Sequence, residues 1–135
     1  MKHDILIVED NPLNGELLSD WLEVEGYAVR VSADLQSAFA AVRSRPPDAV
    51  LLDVQLDGEE GLLLASWMRQ EANLSKIPVI AVTAQAMASE RQHILASGCK
   101  SVVHKPVDFA VLKQQLQLWL SSADATQERR EADGK

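Results

Sequence analysis

Short aliphatic runs alternate with amphipathic stretches of helical period five times along this chain, and that rhythm constrains the fold most. Ile5-Leu6-Ile7-Val8 is continuously aliphatic, the pattern of a strand buried on both faces. Asn11-Pro12 then supplies an N-cap residue followed by Pro at the first helical position. Leu13, Leu17, Trp21 and Leu22 recur at helical spacing until Gly26. Ala28 to Ser32 is a second, less apolar strand, and Asp34 caps a helix carrying Leu35, Ala38, Phe39 and Val42 that ends before Pro46-Pro47. Ala49 to Leu52 forms a strand ending at Asp53, and Gly61 to about Glu71 a helix. Pro78 opens the strand Val79 to Val82, which ends at Thr83, and a helix runs from about Met87 to Ala96, stopping at Gly98. Ser101 to His104 is the last strand, and Asp108 caps a helix with Phe109, Leu112, Leu116 and Trp119 on one face. Strict alternation with short connections implies an α/β fold with a parallel sheet covered on both sides. A closed barrel needs eight such units, more than 135 residues supply. The expected architecture is an open, doubly wound, five-stranded parallel sheet in three layers.

Composition limits what such a domain does. Hydrophobic residues make up 47%, enough for one core, and the net charge is -7. That charge argues against nucleic acid or an anionic membrane surface as the main partner. A single cysteine, Cys99, excludes an internal disulfide framework and a multi-cysteine metal site. No segment approaches the length of a membrane span or a signal peptide, so a soluble, cytoplasmic protein is expected. Residues 121–135 contain no Leu, Ile, Val, Phe or Trp. The reading is therefore one domain over 1–120 and a polar tail over 121–135, either mobile, a fraying extension of the last helix, or the stub of a linker.

In open parallel sheets, ligands collect beyond the carboxyl ends of the strands. Those ends carry Glu9 and Asp10, Asp53, Thr83 and Lys105. Each has an ordinary role available when taken alone: helix-end charge, turn, cap or surface amine. Together on one rim they mark a site. Two like charges about 4 Å apart repel by roughly 4 kcal/mol at an effective dielectric near 20, so three crowded carboxylates protonate or splay unless cations join them. Lys105 supplies one positive charge, and the remaining deficit of two matches a divalent cation. Oxygen ligands suit Mg²⁺, with Mn²⁺ as a substitute. A carboxylate beside a hard cation, a hydroxyl and an ammonium is suited to receiving a phosphoryl group. No phosphate-binding G-x-x-x-x-G-K-[ST] loop, dinucleotide G-x-G-x-x-G or G-x-S-x-G elbow occurs. His3, His93 and His104 lack zinc-ligand spacing and are assigned structural or surface roles.

At these residues the sequence resembles the receiver domain of bacterial two-component response regulators. The matching stretches are Lys-His-Asp-Ile-Leu-Ile-Val-Glu-Asp-Asn at the start, Val-Leu-Leu-Asp at Asp53, Val-Thr-Ala at Thr83 and Lys105-Pro106, in order over residues 4 to about 120. The run from Glu9 to Asn14, Thr83-Ala-Gln-Ala-Met and Gly98-Cys99 are most similar to single-domain cell-cycle regulators and to receivers of hybrid histidine kinases. The resemblance implies a flavodoxin-like sandwich and Asp53 as phosphoacceptor, taking its phosphoryl group from a phosphohistidine. It implies that Asp10, Asp53 and the backbone carbonyl of Gln55 bind Mg²⁺ directly, with Glu9 acting through water. Thr83 and Lys105 would contact the phosphoryl group, Ala84 would leave room for the donor, and the bond before Pro106 would be cis. The implied partners are a sensor histidine kinase, a histidine phosphotransfer protein, or a downstream protein target. Such a domain is not an enzyme on external substrates; it catalyses only its own phosphorylation and dephosphorylation. The polar tail is too short to form a second domain, so direct promoter control by this chain is not expected.

Two positions depart from that family's pattern. An aromatic usually stands three residues before the Lys, and here it is Val102, so a rotating ring is unavailable as the readout. Proline usually stands four residues after the acceptor, and here it is Asp57, whose charge either alters metal affinity or faces solvent, the latter being the favoured reading. The first rival reading is a non-phosphorylated pseudo-receiver that kept only the fold, with Val102 in its favour. The second is a phosphohydrolase, against which Asp53 and Asp57 stand four apart rather than the usual two.

Overall fold

The computed structural model describes residues 2–56, 59–84 and 87–133, apart from the side chains of Glu59 and of residues 122–133. Its elements in chain order are β1 (Asp4–Val8), α1 (Pro12–Val24), β2 (Ala28–Ser32), α2 (Leu35–Ser44), β3 (Ala49–Asp53), β4 (Gln55–Leu56), β5 (Glu59–Glu60), α3 (Leu62–Gln70), β6 (Val79–Thr83), α4 (Ala88–Ala96), β7 (Ser101–His104) and α5 (Phe109–Asp133). Five strands form one parallel sheet in the order β2-β1-β3-β6-β7. The chain steps outward from β1 to β2, then crosses back to place β3 on the other side of β1. That reversal opens a crevice beyond the carboxyl ends of β1 and β3.

Period-2 alternation divides the apolar strand residues between two layers. Leu6, Val8, Val50, Leu52, Val79 and Ala81 pack with residues of α2, α3 and α4, among them Val42, Leu64, Met68 and Ile94. Ile5, Ile7, Ala49, Leu51, Ile80 and Val103 pack with Leu18, Leu22, Leu112, Leu116 and Leu120 of α1 and α5. Both faces are thus covered, as the uninterrupted aliphatic runs require.

Helix ends follow their local chemistry. The Asn11 side chain accepts hydrogen bonds from the Leu13 and Asn14 N–H groups, with Pro12 at the first position of α1. The Asp34 carboxylate accepts from Ser37 N–H at 2.7 Å, and Asp108 from Ala110 N–H at 2.9 Å. Gly26 and Gly98 take positive φ, 97° and 121°, just past α1 and α4, where other residues are strained.

β3 and β6 end at Asp53 and Thr83, as the sequence implied. One element was not expected from the sequence. A two-stranded antiparallel hairpin, β4–β5, follows β3. Its signal was present in the Asp57-Gly58 pair, a favoured hairpin turn sequence; those two residues lie outside the described ones. The α5 backbone is helical to Asp133, while Leu120 is the last core residue among the described side chains. The composition change at Ser121 therefore marks where the described packing ends, not where the helix ends.

Candidate functional site

The crevice collects side chains from three strand ends. Glu9 and Asp10 follow β1, where Glu9 N–H donates to Ser32 O and so extends the ladder by one residue. Asp53 ends β3 and is 5% exposed. Carboxylate oxygens of Glu9, Asp10 and Asp53 lie within 4.8 Å of one another. Lys105, directly after β7, bridges two of the acids, with Nζ 2.9 Å from Asp53 Oδ2 and 3.3 Å from Glu9 Oε1. Its backbone N–H donates to Thr83 O at 2.8 Å, and the Lys105–Pro106 bond is cis.

Two backbone N–H groups also donate to the carboxylates. Gln55 N–H donates to Asp53 Oδ1 at 3.0 Å, and Asn11 N–H to Glu9 Oε2 at 3.3 Å. Asp53 is thus held from both sides, by an amide and by an ammonium. Thr83, 2% exposed, ends the neighbouring strand one step beyond the Asp53–Val82 register pair, with exposed Ala84 after it. Val102 sits two residues before the end of β7, partly buried against the α2–α3–α4 layer. Asp57 lies outside the described residues.

Charge crowding shows in the titration of the site. Burial pushes the Glu9 carboxyl up to about 7, helped by its hydrogen bond to Asp53 and by the Asp53 charge, against the lowering effects of Asn11 N–H and Lys105. Burial alone lowers the Lys105 ammonium, but the hydrogen bond and charge of Asp53, then Glu9, outweigh it and hold it above its ordinary value. One ammonium thus does not neutralise the acids, and a hard divalent cation fits the oxygen donor set. Asp10, Asp53 and Glu9 are the side chains that would hold it.

One residue escaped sequence reasoning. Gly61 precedes α3, and a Cβ built there lies 2.6 Å from the backbone O of Asp53. Only glycine lets the start of α3 approach the strand end that carries the candidate acceptor. A glycine opening a helix behind an acidic strand end was the only signal in the sequence.

The model of the response regulator receiver domain matches residues 5–117. The chain belongs to the response regulator receiver family. It is 36% identical over 124 residues to the polar-differentiation response regulator DivK of Brucella ovis, covering 91% of this chain and all of that one. Two solved structures, each 29% identical, share the fold of this receiver. A putative response regulator from Chloroflexus aurantiacus superposes with a TM-score of 0.84, over 90% of this chain and 99% of that one. A signal receiver domain of a histidine kinase from Syntrophus aciditrophicus gives 0.82, over 89% and 91%. No helix of the receiver's described residues is long and apolar enough to cross a membrane.

Proposed function

We propose that this receiver is a cytoplasmic phosphoacceptor that takes a phosphoryl group from a phosphohistidine onto Asp53. The supporting observation is a buried Asp53 clamped between Gln55 N–H and Lys105 Nζ, with Glu9 and Asp10 alongside. An Asp53 carboxylate oxygen attacks phosphorus, the O–P bond forms as the P–N bond breaks, and the imidazole leaves with the electron pair. Lys105 pairs with a phosphoryl oxygen, and the Thr83 hydroxyl donates to another. Asp10, Asp53 and the Gln55 carbonyl would hold Mg²⁺, or Mn²⁺, with Glu9 acting through water, and the bound cation would supply positive charge beside the phosphoryl oxygens. The donor is a sensor histidine kinase or a histidine phosphotransfer protein, and the output is onward transfer or a protein target that reads the phosphorylated state. Exposed Leu13 and Leu17 lie on α1 beside a groove of about 490 Å³ lined by Lys105, Pro106 and Phe109, an apolar surface that such a donor covers.

Incubation with Mg²⁺ and a small-molecule phosphodonor tests this reading. The parent chain is expected to gain the mass of one phosphate, and Asp53→Ala to gain none. No gain in the parent, or a gain that survives the substitution, overturns it. Val102 favours a second reading, the pseudo-receiver that binds partners without phosphorylation, and the same experiment separates the two.

The raised Glu9 carboxyl gives metal binding a pH signature. A cation binding the carboxylate displaces its proton. With Glu9 titrating at about 7, Mg²⁺ affinity is expected to fall about fivefold from pH 7 to pH 6 and to level off above about pH 8. Without metal the sign for stability is opposite. A folded pKa raised from 4.5 to about 7 gives a contribution complete below the lower value and lost as pH rises through the upper one. Titration calorimetry across this range checks the first effect, and Glu9→Gln should remove the slope.

A further inference from the structure

The α4 side of the sheet carries two polar groups that phosphoryl transfer does not use. Ala81 pairs with Val102 and Thr83 with His104 in register between β6 and β7. Ala81 and Val102 face the layer that contains Ile94 of α4. Two residues on, Thr83 and His104 share that face, side by side at the strand ends. Helix α4 connects the end of β6 to the start of β7, so its first turn lies over the end of the sheet that carries Thr83 and His104. Glu90 is in that turn, four residues before Ile94 and so on the same sheet-facing stripe. Its Oε2 is buried with no hydrogen-bond partner among the described residues. His104 is exposed, and no ion pair joins it to Glu90.

We propose that Glu90 and His104 are the positioning pair that reads the state of Asp53. They are apart in the unmodified chain, and the His104 imidazole closes onto the Glu90 carboxylate when phosphorylation draws the Thr83 hydroxyl towards Asp53. This rests on the reading of Asp53 as the acceptor. Closure satisfies the idle carboxylate oxygen, which is unfavourable while buried alone. It also pins the first turn of α4 to the end of β7. The small Val102 side chain leaves room below the imidazole. Helix α4 is suited to respond, because Ile94 is its one buried residue and Met87 at its N-cap makes no side-chain capping bond.

The test uses the full chain with Mg²⁺ and beryllofluoride, which mimics a phosphoryl group on a carboxylate, and follows the His104 ring nitrogens by NMR, assigned with His104→Asn. Beryllofluoride is expected to shift those resonances to a hydrogen-bonded form, and Glu90→Gln to cancel the shift. Because coupling is reciprocal, either single variant should bind beryllofluoride about five- to tenfold more weakly. The double variant should lose no more than one single, whereas two unrelated structural roles give losses that add. His104→Asn measures the affinity change by itself should Glu90→Gln fold poorly. A His104 signal indifferent to beryllofluoride, a shift that persists in Glu90→Gln, or additive losses overturns the pair and leaves the acceptor reading standing. Failure of beryllofluoride to engage Asp53 overturns both.

Discussion

Gly61→Ala is expected to destabilise the chain by about 2–3 kcal/mol and to slow phosphorylation of Asp53. The added Cβ meets Asp53 O at 2.6 Å, Val54 O at 3.2 Å and Val54 Cα at 3.3 Å, all backbone atoms that cannot rotate away. Gly61 has φ -56° and ψ -32°, which any residue adopts, so the demand is for room and not for conformational freedom. Relief requires the start of α3 to draw back from the end of β3. That displaces the backbone from which both Asp53 and the Gln55 N–H are aimed. Gly26→Ala is the useful contrast. Its φ of 97° strains a side chain, yet no atom lies within 4 Å of the new Cβ. A loss of about 1 kcal/mol, with phosphorylation unchanged, is expected there. Urea unfolding together with the phosphate-mass assay separates the cases, and a Gly61→Ala chain as stable as its parent contradicts the argument.

Lys105→Met should leave the fold nearly intact while slowing phosphoryl transfer by about 10²–10³-fold. The Lys105 side chain keeps 27% of its surface exposed, but Glu9 and Asp53 keep only 3% and 6%, so its loss leaves buried acids without their ion-pair partner and costs about 1–3 kcal/mol of stability. The kinetic loss is larger because, on the proposed reading of Asp53, phosphoryl charge develops beside this ammonium. Removing it also removes a charge that lowers the Glu9 carboxyl. Glu9 should then titrate higher still. Initial rates at saturating Mg²⁺ isolate the transfer effect from the metal effect. A rate within about threefold of the parent contradicts the role given to Lys105.

Much of the fold was legible because it rests on period and punctuation. Each aliphatic run became a strand of the main sheet, and Asn11, Asp34 and Asp108 cap the helices they were expected to cap. Glu9, Asp10, Asp53 and Lys105 were legible as a group because a parallel sheet sends every strand end to the same rim. Gly61 was not, since its role depends on how closely a helix approaches a strand end, and no local pattern encodes that distance.

Residue order along the chain was enough to dictate the (βα)₅ alternation, the layer each apolar side chain enters, and the gathering of acids, hydroxyl and amine at one edge. Hydrophobic period and turn chemistry are local, so they are written within a few residues of where they act. The pairing of Lys105 with both Asp53 and Glu9, the raised Glu9 carboxyl and the Gly61 approach arose only once β1, β3, β6 and β7 lay side by side in one sheet. Each depends on separations of a few ångströms between groups up to 96 residues apart. Electrostatic energy and steric exclusion depend on distance through space, which the linear chain leaves open until it packs.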